Sequence, residues 1–507
     1  MLLADLVEAS SKVGATRART TKVAVLAEVL GRAGADEVGP AAAFLSGQLR
    51  QGRVGVGWGL LSAVDVAPAA GPTITVGEVD RAVGALAVLT GAGSTTARVA
   101  LLTDLFGRAT EAEADFLRRL LLGDLRQGAL AALVGDALAA ATGIKIDVVR
   151  RAVMLDGDLS RVAVVAVTEG EDGLCAIGLQ LFRPVLPMLA ATATDVRAAV
   201  DGCGLVSVEW KLDGARVQVH RDGDEVRVFT RNLNDVTDRL PGVVEVARRL
   251  AAHQAVLDGE VIGVGLDERP DLFQDTMSRF GRHDGAGASL GVWFFDLLHL
   301  DGRDLLDEPL TIRAALLDRV AGPFRVPSVL TDDPDAASAF LDRALAAGHE
   351  GVMVKDAGSV YEAGRRGSAW RKVKPVRTLD LVVLAAEWGH GRRRGWLSNL
   401  HLGARASGSE SGFVMVGKTF KGLTDEVLGW QTGRLLELET GRDGIVVHVR
   451  PELVVEVALD GVLASDRYPG GVSMRFARVR RYRPDKSPAE ADTIEAVQAL
   501  RVRQASG

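Results

Sequence analysis

Two stretches of alternating apolar and polar residues bracket a short element near the middle of the chain. Leu205-Val206-Ser207-Val208 and Val217-Gln218-Val219-His220 each carry the period-2 pattern of a half-buried strand. Between them runs Glu209-Trp210-Lys211-Leu212-Asp213-Gly214-Ala215-Arg216, so Lys211 is expected at a bend between strands. Gly214, three residues on, lets another backbone or a ligand come close. A lysine held there is a candidate nucleophile, and the competing reading is a solvated loop lysine.

Residues 1 to about 185 carry helical periodicity. Thr110-Glu111-Ala112-Glu113 has the form of a capping box, followed by Phe116, Leu117, Leu120 and Leu121 at helical spacing. Gly123 and Gly128 bracket a turn, and a second helix is expected over 129–141. Such a turn gathers backbone N–H groups and Arg126 at one spot suited to phosphate. On composition alone, Arg118, Arg119 and Arg126 read as the solvated face of a helical bundle. The segment 181–189, interrupted by Pro184 and Pro187, reads as an extended linker. No internal repeat is expected.

From about 196 to 377 the pattern changes to strands with a few helices. Asp222-Gly223 signals a hairpin into a strand over 226–230. Further strands are expected over 256–262, 291–298 and 351–354, and helices over 313–320 and 336–347. Beyond 378 come short strands over 381–384, 400–405, 413–416, 445–449, 453–458 and 476–480, with one helix over 425–438. That set predicts a small barrel of the OB type, and 389–395 is a flexible basic loop. The expected fold class is multidomain α+β: an all-α N-terminal domain over 1–190, an α+β domain with antiparallel sheets over 196–377, and an OB-fold β-barrel over 378–507.

Composition narrows the chemistry. At 507 residues the chain exceeds one hydrophobic core, and 47% hydrophobic with 25% charged residues is ordinary for a soluble globular protein. The net charge of −6 does not announce a polyanion partner, although a local basic stripe can bind phosphates on an acidic protein. Cys175 and Cys203, with no C-x-x-C pair, exclude a Cys-rich zinc module and argue against a disulfide framework. The first 30 residues lack a secretory apolar core, and no uninterrupted apolar run approaches the roughly 18 residues of a membrane span. The expected location is cytoplasmic. Only 10 of the 60 basic residues are lysine. A chain that uses Arg wherever charge suffices keeps Lys where a small titratable amine matters. Seven of the ten are Lys211, Lys355, Lys372, Lys374, Lys418, Lys421 and Lys486, mostly in short clusters.

Strand-end groups follow one another around Lys211. Asp258-Gly259-Glu260 puts acids on a strand, Trp293-Phe294-Phe295-Asp296 supplies aromatic faces, and Glu350 opens the buried strand Gly351-Val352-Met353-Val354-Lys355. Lys372 and Lys374 stand at period 2, so both amines point to one side. Singly each is weak; their order is specific.

That order resembles the covalent nucleotidyltransferases and, more narrowly, the three-domain bacterial form of the ATP-dependent DNA ligases. In that family K-x-D-G-x-R, a strand acid, an aromatic, E-G-[VL]-M-V-K and K-x-K elements form the nucleotide pocket. They match Lys211 to Arg216, Glu260, Phe295, Glu350 to Lys355 and Lys372-Val373-Lys374. Arg483-Pro484-Asp485-Lys486, preceded by Arg475-Phe476-Ala477-Arg478, resembles the C-terminal pyrophosphate element. Leu122-Gly123-Asp124-Leu125-Arg126-Gln127-Gly128 and Pro187-Met188-Leu189-Ala190 resemble the helical DNA-binding domain and its junction, and Gly417-Lys418-Thr419-Phe420-Lys421-Gly422 a loop of the OB domain.

The resemblance implies a ligase that seals 5′-phosphate/3′-hydroxyl nicks in duplex DNA, in replication, repair or recombination, through AMP carried on Lys211. It implies ATP and Mg²⁺, with Mn²⁺ as an alternative, Glu260 and Glu350 as metal ligands, and Phe295 stacked on adenine. Glu209 matches the acid that reads the adenine amine; Arg216 and Arg231 match groups on the ribose and the nick phosphate. Arg366, Lys372 and Lys374 complete the nucleotide contacts, Arg483, Asp485 and Lys486 reach the pyrophosphate, and Arg126 and Lys418 touch DNA. Lys211 must attack as a neutral amine, so the nearby lysines and metal are expected to depress its pKa. A hinge is expected near 375–380, where the barrel swings over the pocket. The partner is nicked duplex DNA, with no membrane, and the protein is expected to be a nucleoid-associated monomer. An NAD-dependent ligase would need a four-cysteine zinc site. A capping enzyme or RNA ligase leaves 1–185 unexplained. A non-catalytic nick-binding protein has no need of the set Lys211, Glu350, Lys372 and Lys374.

Overall fold

A computed structural model describes residues 1–52, 54–125, 131–263, 290–362, 366–409 and 411–500, with Arg366 and Arg392 described in backbone alone. The first 175 residues are helical among those described, from Leu3–Ala15 to Gly170–Cys175. One apolar cluster, including Leu6, Leu26, Phe44, Phe106, Leu117, Leu138 and Val162, holds these helices together. The expected capping box is formed: the Thr110 hydroxyl accepts from the Glu113 amide, and the Glu113 carboxylate accepts from the Thr110 amide. It starts the helix Glu111–Leu121, whose Phe116, Leu117, Leu120 and Leu121 are buried. The next helix is Ala131–Thr142. Arg126 lies outside the described residues.

The helical region contains a repeat, contrary to the expectation. Gly31-Arg32-Ala33 returns as Gly107-Arg108-Ala109, and Leu49-Arg50-Gln51-Gly52 as Leu125-Arg126-Gln127-Gly128, at one constant offset. The helices Arg19–Gly31 and Ser94–Gly107 correspond, as do Val38–Leu45 and Glu111–Leu121. Each second helix ends at a left-handed glycine, Gly47 (φ 77°) and Gly123 (φ 68°). Between these signatures the two copies share apolar character more than identity, which hides the repeat from inspection.

The segment 181–189 is more than a linker. Val185 and Met188 are buried, Phe182 adopts φ 65°, and Leu189–Thr192 (β1) pairs in parallel with Arg366–Val373 (β10). Its apolar residues find partners on the middle domain, so the extended chain docks rather than spans.

Two five-stranded sheets follow. Val206–Lys211 (β2), Ser328–Thr331 (β8) and Gly351–Asp356 (β9) join β1 and β10 in the order β1-β10-β9-β2-β8. Ala215–Asp222 (β3), Glu225–Thr230 (β4), Gln254–Gly263 (β5), Leu290–Leu300 (β6) and Arg303–Asp304 (β7) form the other, ordered β4-β3-β5-β6-β7. The strands flanking Lys211 thus enter different sheets. Gly214 permits the crossing, because a Cβ there would collide with the Val261 carbonyl oxygen and press on Ile262. Asp222-Gly223 closes the β3–β4 hairpin as expected, with Gly223 at φ 59°.

The strand-rich C-terminal part centres on Arg377–Trp388 (β11), which pairs with Leu397–Arg405 (β12), Val446–Val449 (β15) and Val454–Leu459 (β16). Phe413–Thr419 (β13), Glu439–Asp443 (β14) and Arg478–Tyr482 (β19) extend the sheet, and the helix Asp425–Glu437 falls where expected. Polar β14 and the separate hairpin Gly461–Ala464 (β17) with Val472–Arg475 (β18) were not among the expected strands. Most of 375–380, where a hinge was expected, is strand: β11 starts at Arg377, and Asp380 pairs with Glu456 inside it, which leaves 374–376 between sheets. No helix among the described residues is long and apolar enough to cross a membrane.

Candidate active site

A cavity of about 440 Å³ opens between the two middle sheets, with Arg475 of the C-terminal part in its wall. Lys211 ends β2 opposite Gly351, the first residue of β9, and its carbonyl accepts from the Glu350 amide at 3.2 Å. That cross-strand register brings the Lys211 Nζ onto the Glu350 carboxylate. The other Glu350 oxygen accepts from Lys374 Nζ at 3.0 Å, and Lys374 also binds Asp460 at the start of the β17–β18 hairpin. Gly351 makes this possible, since a Cβ there would collide with the Val373 carbonyl and keep Lys374 away.

Electrostatics distinguish the two acids. Burial pushes the Glu350 carboxyl up, but Lys211 and Lys374 outweigh it and hold it below the ordinary carboxylate range. Burial also works against the charged Lys374 amine, yet Asp460 and Glu350 raise it. Glu260 is different: burial raises it to about 7 in spite of Lys211 and Arg216, and it accepts from the Gly214 amide at 3.2 Å. A buried acid so poorly compensated gains from a further cation.

The opposite wall is aromatic and basic. Glu209, 2% exposed, binds Lys355 Nζ at 2.6 Å, and Lys355 also donates to the Phe295 carbonyl at 2.8 Å. The Lys355 amine stands 4.8 Å from the Phe295 ring centre and 4.3 Å from that of Trp370. Arg216 binds Asp258 at 2.8 Å and the Met188 carbonyl at 2.7 Å. Burial opposes its charge, but Asp258 more than restores it. Among the described residues, Arg216 Nε and Trp370 Nε1 are buried donors without a hydrogen-bond partner, and both residues line the cavity. Orphan donors in a cavity wall mark where a polar ligand belongs.

Of the residues expected from sequence, Glu209, Lys211, Arg216, Arg231, Glu260, Phe295 and Lys372 line the cavity, and Glu350 and Lys374 meet at its Lys211 end. Arg366 opens β10 beside the junction strand β1. Arg483, Asp485 and Lys486 are not in the wall. Arg483 binds Asp485 at 2.6 Å and Asp380 at 3.0 Å, and Lys486 binds Asp380 at 2.6 Å. Arg475 takes their place at the cavity, binding Asp213 at 2.7 Å. Lys418 is ion-paired to Glu387 at 2.5 Å and lines a separate hollow of about 190 Å³ with Phe420, Lys421 and Phe476.

Sequence reasoning missed Tyr361, Trp370 and Asp460 as site groups, and named Asp258 and Arg475 without giving either a role. Asp258 shares a strand face with Glu260, a signal that period 2 supplies. Tyr361 and Asp460 carry no local signal.

Comparison with known proteins gives the family. Family models described as DNA ligase N terminus, ATP dependent DNA ligase domain and ATP dependent DNA ligase C terminal region match residues 65–139, 187–374 and 393–486. A "Probable DNA ligase" of Saccharopolyspora erythraea is 56% identical over 99% of this chain and 98% of its own, and one of Rhodococcus jostii is 54% identical over 99% of each. The solved structure Pmar-Lig_Pre shares the fold, with a TM-score of 0.63 at 19% identity over 94% of this chain and 99% of that one. Three models matched in order along the chain, and relatives more than half identical across nearly its full length, lead to one conclusion: the chain belongs to the ATP-dependent DNA ligases.

Proposed function

We propose that the protein seals nicks in duplex DNA with ATP, and that Lys211 carries the AMP. The single observation that carries this reading is the placement of the Lys211 amine at the end of a strand, on Glu350, in a cavity shared with Lys372, Glu260 and Phe295. In the first step the amine attacks the α-phosphorus: a P–N bond forms, the P–O bond to pyrophosphate breaks, and the amine gives up its proton. The AMP then passes to the 5′-phosphate of the nick, breaking the P–N bond. A 3′-hydroxyl displaces AMP and closes the strand.

Lys372 and Lys374 suit the triphosphate charge, and the Arg216 and Trp370 donors suit ribose or base. Glu260 would hold a magnesium ion, which takes oxygen ligands and few protein groups, and Glu350 would join it once an oxygen leaves Lys211 or Lys374. Bound there, the metal supplies charge neutralisation at the phosphates. Arg231 stands in the cavity wall, where the nick 5′-phosphate would arrive. Arg126 and Lys418 are assigned to DNA backbone, which makes binding sequence-independent and salt-sensitive.

The test is incubation with α-labelled ATP and Mg²⁺, followed by denaturation. Label that survives and disappears in Lys211→Ala supports the reading; absence of label in the wild type favours a non-catalytic nick binder. Sealing of nicked duplex with ATP, GTP and NAD side by side then fixes the cosubstrate.

A further inference from the structure

The segment that joins the helical and middle parts forms part of the nucleotide cavity, and a buried polar relay holds it in place. Met188, Leu189 and Ala190 line the cavity. Leu189 and Ala190 pair with β10, whereas the backbone of Val185 and Met188 before them is held by side chains.

Two strands, β3 and β5, supply them together with Tyr361, which follows β9. His220 Nδ1 accepts from the Phe182 amide at 3.0 Å, which puts its proton on Nε2, and Nε2 donates to Gln218 Oε1 at 2.9 Å. Gln218 clasps Val185 from both sides, accepting from its amide at 2.8 Å and donating to its carbonyl at 3.3 Å. At Met188 the Tyr361 hydroxyl takes over. It donates to Asp258 at 2.5 Å and accepts from the Met188 amide at 3.0 Å and from Arg216 at 3.3 Å. One proton and two lone pairs are all a hydroxyl has, and all three are used. Burial, with Asp258 beside it, pushes the Tyr361 phenol well up, so the donor to Asp258 stays protonated.

The geometry assigns Tyr361 as a positioning residue for the nucleotide: through Met188, Arg216 and Asp258 it fixes both the junction wall and the cavity's guanidinium. It is 1% exposed and touches no reacting group. Its apolar body joins Met154, Leu155, Val185, Met188 and Trp370 in one cluster, and the Leu186 amide donates to the Met154 carbonyl at 2.9 Å. The last turn of the helix Ile146–Asp156 therefore buttresses the same wall, and the helical part contributes to nucleotide binding as well as to DNA. This inference rests on the proposed ATP chemistry and adds a residue to it.

The experiment compares the full-length wild type with Tyr361→Phe and Gln218→Leu in self-adenylation from labelled ATP over a range of ATP concentrations. Melting temperature and calorimetric ATP binding are measured on the same preparations. Tyr361→Phe keeps the ring and the packing and removes only the hydroxyl. The expected result is an ATP KM and Kd raised about tenfold, the size of one hydrogen bond to a charged group, with kcat within about twofold. Gln218→Leu shifts KM in the same direction. A wild-type KM in Tyr361→Phe overturns the inference, as does a fall in kcat and melting temperature without a change in KM. Should Tyr361→Phe fail to fold, Gln218→Leu carries the test on the same criterion. A wild type that binds ATP but takes no label refutes the proposed chemistry, while the two Kd values still decide the role of Tyr361.

Discussion

Asp460→Asn tests how the C-terminal grip on the cavity competes with the nucleotide. Lys374 divides its amine between Glu350 and Asp460, whose side chains are 15 and 14% exposed against 20% for Lys374. Such a pair lies between a hydrated surface ion pair, worth about 0–1 kcal/mol, and a buried one, whose breaking costs about 3–5 kcal/mol. An intermediate value of about 1.5 kcal/mol follows. A triphosphate that recruits Lys374 must displace Asp460, so ATP binding is weakened by that amount, about tenfold. Asp460→Asn should therefore lower the ATP KM of self-adenylation about tenfold. It also removes one tether, Arg475–Asp213 being another, so the C-terminal part should be released in a larger share of molecules. Small-angle scattering reads the release as a larger radius of gyration, and limited proteolysis reads it as faster cleavage within 374–376. An ATP KM equal to or above the wild-type value, with unchanged solution dimensions, would refute the reasoning.

Three further outcomes are expected. Burial, aided by the nearby His299, holds His220 at about 3 against an ordinary 6.5, so the unfolded chain binds the extra proton between those values. Stability is then fully present above about pH 6.5 and is lost as pH falls toward 3, at up to about 1.4 kcal/mol per unit; urea midpoints from pH 7 to 4 should fall less steeply in His220→Gln, and equal slopes would reject the assignment. Gly214→Ala drives a methyl into the Val261 carbonyl and displaces Lys211, so self-adenylation should drop about a hundredfold, whereas Gly59→Ala, which meets nothing within 4 Å, leaves it unchanged. Arg313→Ala leaves the Asp296 carboxylate buried without the guanidinium that holds it at 2.8 and 3.2 Å, a loss of about 3–5 kcal/mol in urea unfolding; a loss below about 1 kcal/mol would mean that water reaches the carboxylate.

Much of the site is legible in the residue order because short-range geometry fixes it. Thr110 and Glu113 cap a helix through neighbours three apart, Asp222-Gly223 turns a hairpin, and period 2 carries Glu209 and Lys211 along one strand. Scarcity of lysine marks Lys211, Lys372 and Lys374 before any fold is known. The crossing at Gly214 from one sheet to the other leaves no periodic trace, and neither does the docking of 181–189, whose prolines signal extension and not the partners that bury Val185 and Met188. Lys374 meets Asp460 across 86 residues and Arg475 meets Asp213 across 262, while Arg483 and Lys486 turn to Asp380 instead of the cavity. Local spacing sets which face a side chain takes, but these encounters depend on the path of the chain through the packed helices and sheets, where burial and charge pairing between distant segments choose the partner.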